Sequence, residues 1–112
     1  MRRAERLRQR REFAAVYRHG RAYRSDLFVL RALRTDEPLA RFGFTASKAL
    51  GGAVVRNRVK RRLREAARAL PVAPGWDVVL NGRRRAAEVE FSRVLDTMRE
   101  LMARAKMLEA SE

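Results

Sequence analysis

The stretch from Lys48 to Arg68, KALGGAVVRNRVKRRLREAAR, admits little other than a helix with one apolar side and one strongly basic side. Gly51-Gly52 supplies the turn that leads into it. At about 100° per residue, Val55, Val59, Leu63, Ala66, Ala67 and Leu70 gather on one side. Arg56, Asn57, Lys60, Arg61, Arg64 and Arg68 gather on an adjoining arc of about 140°. The first side requires a core to pack against; the second offers five cations and an amide to something anionic. A plainly solvated helix surface is the alternative. Such surfaces usually mix signs at i,i+4, for about 0.2–0.5 kcal/mol per pair. Here Arg56, Lys60, Arg64 and Arg68 repeat like charge at that spacing, which destabilises the helix unless an anion compensates. The pattern predicts a binding face.

The rest of the chain supports a polyanionic partner. Its 27 Lys and Arg against 13 Asp and Glu give a formal charge of +14 over 112 residues, enough for one domain with a single core. Nucleic acid is the first partner this implies. A membrane surface is second, but Ala and Val, not bulky Trp, Phe or Leu, stand opposite the charges. No apolar run approaches the roughly 18 residues of a membrane span, and MRRAERLRQRRE lacks the apolar core of a secretory signal. With no cysteine there is neither a disulfide framework nor a thiolate zinc site, which fits a reducing cytoplasm.

Residues 1–8 read as a disordered basic arm on a single domain spanning 1–112. A short helix is expected from about Gln9 to His19, with Phe13, Val16 and Tyr17 on one side and Gly20 ending it in the left-handed conformation. Ala22–Leu33 reads as a strand, and Thr35-Asp36-Glu37-Pro38 as a turn. A second strand, about Ala40–Ser47, alternates Phe42, Phe44 and Ala46 with Gly43, Thr45 and Ser47. After the basic helix come a short strand, Trp76–Leu80, and a basic loop, Asn81-Gly82-Arg83-Arg84-Arg85. An amphipathic helix from about Ala87 to Leu108 closes the chain. The order α-β-β-α-β-α is that of an α+β protein, a small two-layer α/β sandwich with one sheet against helices.

The segment Phe42–Arg68, FGFTASKALGGAVVRNRVKRRLREAAR, closely resembles the signature of the bacterial ribonuclease P protein subunit: an aliphatic-Gly strand into Ser-Lys-Lys, a Gly-Asn-Ala-Val turn, then Arg-Asn-Arg and Lys-Arg-x-x-Arg. Arg11–Gly20, REFAAVYRHG, is similar to that family's first helix, and Gly75-Trp76-Asp77-Val78-Val79 to its last strand. The resemblance covers about Leu7 to Met107. It implies a sandwich with a left-handed crossover around the basic helix, an exception to the usual hand, as in the second domain of a small-subunit ribosomal protein. It also implies two partners, the catalytic RNA of ribonuclease P and precursor tRNA, whose 5′ leader the holoenzyme removes; no protein partner is implied. Carried onto this chain, Lys48, Arg56, Asn57, Arg58, Lys60, Arg61, Arg64 and Arg68 face RNA, and Phe13, Tyr17 and Arg31 belong to a cleft for the leader.

The residues themselves agree. Aromatic side chains stack bases for about 1–3 kcal/mol each beside a basic groove; Phe13 and Tyr17 at i,i+4, near Arg10, Arg11 and Arg18, fit that use. Ordinary core packing is the alternative for both rings. Asn57 can donate and accept toward a sugar or base edge, and Arg56 and Arg61 offer a bidentate fork to phosphate that lysine lacks. Three positions depart from the family pattern. A Lys-Lys pair is Lys48-Ala49 here, a Gly-Asn is Gly51-Gly52, and Arg31 stands where some relatives carry an aromatic.

No self-sufficient catalytic set is legible. Metal-assisted phosphodiester cleavage requires clustered carboxylates, yet Asp26, the adjacent Asp36 and Glu37, Asp77 and Asp96 sit apart on different elements. The one histidine, His19, ends a helix, where it suits the dipole. No catalytic residue and no cofactor are therefore assigned to the protein, and Mg²⁺ is expected through the RNA subunit. A ribosomal protein or other structural RNA-binding protein would share the charge and size but lack the central motif. A self-sufficient nuclease would need the missing catalytic set.

Overall fold

Glu12 organises the first helix, α1 (Arg10–His19). Its Oε1 accepts from the backbone amides of Gln9 and Arg8, both at 2.8 Å, satisfying donors that a helix start leaves free. These bonds come first among the causes that hold the Glu12 carboxyl below its usual range, with the Arg41 guanidinium adding to them. The computed structural model describes residues 1–109. At the far end of α1, Gly20 is extended, with φ −77° and ψ 166°, and not left-handed as its position suggested. Space is the reason for glycine there: a Cβ would lie 2.5 Å from the Val16 carbonyl oxygen and 3.0 Å from that of Ala32.

The run expected as one strand is a hairpin of β1 (Arg21–Arg24) and β2 (Phe28–Arg34), paired antiparallel. Ser25 makes the turn, its Oγ accepting from the amides of Leu27 and Phe28 and donating to the Phe28 carbonyl at 2.7 Å. A single serine inside a strand-like run hid it. β3 (Arg41–Thr45) follows, then a 3₁₀ turn at Lys48–Leu50 and the basic helix α2 (Ala53–Arg68). β4 runs Trp76–Gly82, so Asn81 and Gly82 belong to the strand and not to the basic loop. The chain then winds through a 3₁₀ turn at Arg84–Ala87 into α3 (Phe91–Arg104). α3 is shorter than expected at both ends: Glu90 is its N-cap, and Leu108 lies beyond it, bridged to Val72.

The sheet order is β1-β2-β4-β3, with β3 parallel to β4 through the α2 crossover and the other pairs antiparallel. Helices α2 and α3 cover one face. Val59, Leu63, Ala66 and Ala67 of α2 and Met98, Leu101 and Met102 of α3 bury there against Leu30, Phe42, Val78 and Leu80. The sequence-derived sandwich is thus present in one α+β unit, with α1 added on the outer face, where Val16 packs with Leu7 and Val79. Residues 1–8 are not a disordered arm. They hold a 3₁₀ turn at Arg3–Glu5, and Arg6 bridges Phe42 in parallel. The Leu7 amide donates to the Phe42 carbonyl at 2.9 Å, and the Leu7 side chain is buried. One apolar residue among arginines is enough to pin the arm along the β3 edge, which also shields that edge from other strands.

Candidate nucleic-acid interface

Burial separates the two sides of α2 as its periodicity requires. Val59 and Leu63 are fully buried, Arg56, Lys60 and Arg64 half-buried, and Asn57, Arg61 and Arg68 exposed. The half-buried cations carry a cost. Arg64 lies with its Cζ 5.6 Å from the centre of the Phe44 ring, a cation–π contact at the seam between α2 and β3. The Nε atoms of Arg56 and Arg64 are shut away from solvent with no hydrogen-bond partner among the described residues. The described ion pairs use Arg41, Arg84, Arg85, Arg93 and Arg99, and none uses a cation of α2. Five like charges thus share one arc, and no ion pair among the described residues offsets them.

Not every expected residue joins that arc. Arg58 is exposed on the other flank of the helix, about 200° of rotation from Arg56. Lys48 is exposed on the 3₁₀ turn before α2. Arg62 works within the fold: its guanidinium donates to the carbonyls of Ala86, at 3.0 Å, and Val89, clamping the Arg84–Ala87 turn to α2. Arg84 in turn donates to the Leu50 carbonyl at 3.0 Å and so steadies the turn that carries Lys48.

On the outer face the strand registers set out three cross-strand rows: Leu33–Asp77–Arg41, Arg31–Val79–Gly43 and Val29–Asn81–Thr45. α1 lays successive turns along them. On the first row Arg41 grips Asp77 with two bonds of 2.8 and 2.7 Å and reaches Glu12 at 2.9 Å and Glu37 at 3.0 Å. Asp77 is only 4% exposed. Bidentate bonding to Asp77 raises the Arg41 pKa further above its already high value. This network ties the start of α1 to the sheet.

On the second row the Phe13 ring lies on bare backbone. A Cβ at Gly43 would stand 2.4 Å from Phe13 Cε1, so the strand must carry glycine for the ring to seat there. Phe13 is half-buried against Leu7, Val16 and Val79, so core packing accounts for much of it. Tyr17, on the third row, differs: it is 45% exposed. Its hydroxyl oxygen accepts from Asn81 Nδ2 at 2.6 Å, and the Arg31 Cζ lies 5.0 Å from its ring centre. One face of Tyr17 is therefore already covered by Arg31. Asn81 also donates to Thr45 Oγ1 at 2.8 Å and accepts from Arg31 Nε at 2.9 Å. Together these side chains make a polar-aromatic cluster between α1 and the sheet.

The model of the family described as Ribonuclease P matches residues 1–106. The chain belongs to the ribonuclease P protein family. It is 41% identical to the ribonuclease P protein component of a Roseiflexus species, over 100% of this chain and 94% of that one. To the component from Dehalococcoides mccartyi it is 37% identical, over 100% and 93%. Among solved structures, the ribonuclease P protein of Thermotoga maritima superimposes with a TM-score of 0.77 at 29% identity, covering 95% of this chain and 99% of that one. The role of the ribonuclease P protein component lies in processing the 5′ leader of tRNA, as part of the ribonuclease P holoenzyme.

Two residues of this cluster escape the sequence reading. Asn81 sits in a stretch that reads as a loop, and its partner Thr45 is one of the small residues alternating with Phe42 and Phe44. That alternation was the available signal, because a strand that is small and polar on one face leaves room for something to lie against it. Among the described residues no three His, Asp or Glu side chains come together in a way that could hold a metal ion. No helix among them is long and apolar enough to cross a membrane.

Proposed function

We infer that this chain binds the catalytic RNA of ribonuclease P through α2 and the 5′ leader of precursor tRNA through the cleft beside α1. The arc of cations on α2, which no ion pair among the described residues offsets, carries the reading, since like charge repeated at i,i+4 destabilises a helix unless an anion compensates. In this reading Arg56, Lys60, Arg61, Arg64 and Arg68 neutralise phosphates and Asn57 meets a sugar or base edge. Lys48 and Arg58 extend the contact on either side of the arc, and Phe13, Tyr17 and Arg31 line the path of the single strand. In this reading the acid and base chemistry and its Mg²⁺ ions belong to the RNA subunit, and the carboxylates among the described residues are dispersed or committed to arginines. The cytoplasm, where tRNA precursors are made, is the place of action this reading assigns.

Protein alone, incubated with precursor tRNA and Mg²⁺, should leave the precursor intact, and addition of ribonuclease P RNA should restore 5′ maturation. Cleavage without the RNA would favour a self-sufficient nuclease. The leader assignment has its own test in Tyr17→Ala. Holoenzyme carrying it should bind precursor more weakly by about 1–3 kcal/mol, with binding of mature tRNA and the melting temperature little changed. Phe13→Ala, at a more buried position, should lower both stability and precursor affinity. Equal losses for precursor and mature tRNA in the Tyr17 variant would remove the assignment.

A further inference from the structure

We propose that the ordered arm, residues 1–8, is a second contact for the phosphate backbone of the RNA subunit, continuing the α2 face round the β3 edge. The proposal rests on the assignment of α2 to that RNA. The arm runs parallel to β3, whereas α2, the crossover between two parallel strands, runs back against them. The far end of the arm therefore meets the C-terminal end of α2. There Arg2 and Arg68 line one groove of about 550 Å³, with Glu5 and Glu109 also in its wall. On the other side of the arm, Arg3, Arg6 and Arg8 line a second groove of about 250 Å³ against the start of α1. All four arm arginines are exposed, and no ion pair among the described residues uses them. The nearby carboxylates are engaged elsewhere. Glu5 accepts from the Arg2 backbone amide at 3.1 Å, and Glu12 from the amides of Arg8 and Gln9 and from Arg41.

A loose basic tail would also reach phosphates, but it would have to be ordered on binding. Here the ordering is already done, and by other groups. Met1 and Leu7 pack against the two apolar clusters, Arg6 bridges Phe42 through its backbone, and the Leu7 amide donates to the Phe42 carbonyl. None of these anchors uses a guanidinium, so four cations are held in place and left to a partner. Four like charges on eight residues repel one another, and a run of phosphates relieves that repulsion. Each guanidinium offers a fork of donors that fits phosphate oxygens. Shielding of the β3 edge is the competing role for the arm, and it would leave RNA binding indifferent to these charges.

The test is a salt titration of binding to ribonuclease P RNA, with no tRNA present, by protein carrying Arg2→Ala, Arg3→Ala and Arg6→Ala. The fold should persist, since no anchor of the arm is replaced, and a melting curve checks it. The slope of log affinity against log salt should fall by about two to three. Arg2→Lys, Arg3→Lys and Arg6→Lys together should keep the slope. Leu7→Asn, which frees the arm but keeps its charge, should weaken binding at least about fivefold with little change of slope, because the arm is no longer pre-organised. Four results would each overturn the proposal: an unchanged slope in the alanine variant, an equal loss in the lysine variant, wild-type affinity in Leu7→Asn, or a loss seen only when assembled holoenzyme binds precursor tRNA. In those cases a reduced slope on replacing Arg56, Lys60 and Arg64 with alanine would leave the α2 assignment standing. An unchanged slope there would remove that assignment as well.

Discussion

Replacing Arg56, Lys60 and Arg64 together with alanine should weaken binding to ribonuclease P RNA and flatten its dependence on salt. Each lost phosphate contact removes about 0.7–0.9 from the slope of log affinity against log salt, so three contacts remove about two to three. The fold should survive, because all three side chains lie off the buried arc of Val59, Leu63, Ala66 and Ala67. Stability should even rise slightly, since the substitution relieves i,i+4 repulsion and removes the shielded Nε atoms of Arg56 and Arg64. A salt titration of the variant, with its circular dichroism as control, decides the matter. An unchanged slope would mean that the face is merely solvated.

Arg41→Ala should have the largest effect on stability. It strands the Asp77 carboxylate, 4% exposed, and releases Glu12 and with it the start of α1. Breaking a buried pair from one side costs about 3–5 kcal/mol, a large part of the roughly 5–15 kcal/mol that holds a domain together. Urea unfolding should show the midpoint falling accordingly, and any folded fraction should discriminate poorly between precursor and mature tRNA because α1 has lost its seat. A loss below about 1 kcal/mol, the range of surface ion pairs, would show that the network is not an anchor.

The sequence discloses α2 best, because helical periodicity sorts its apolar and basic residues with no help from distant parts of the chain. The buried stripe of α3, from Val94 to Ala105, follows from the same rule. What stays hidden depends on contacts far apart in sequence. The Ser25 turn is one side chain bonding to backbone within a run that otherwise favours strand. Leu7 orders the arm only because Phe42 and Val79 are there to receive it. Gly20 looks like a helix terminator, yet its smallness serves the approach of Ala32, on a strand the helix meets only after folding.

The site divides in the same way. The α2 face follows from local spacing, whereas the cluster beside α1 is a product of register. Arg31, Asn81 and Thr45 come from three strands and become neighbours only when β2, β4 and β3 pair as they do. Phe13 and Tyr17 are visible as an i,i+4 aromatic pair, but nothing local tells the half-buried ring from the exposed one. Gly43 makes the difference, by giving Phe13 a place to sink.

The central claim is that this protein supplies binding and the RNA subunit supplies chemistry. Cleavage of precursor tRNA by ribonuclease P RNA, followed across a Mg²⁺ titration with and without the protein, tests it most directly. The account predicts that the protein shifts the titration to lower Mg²⁺ and raises the rate where RNA alone is nearly inactive, since its cations take over part of the phosphate neutralisation. Superimposable titrations with and without the protein would contradict it.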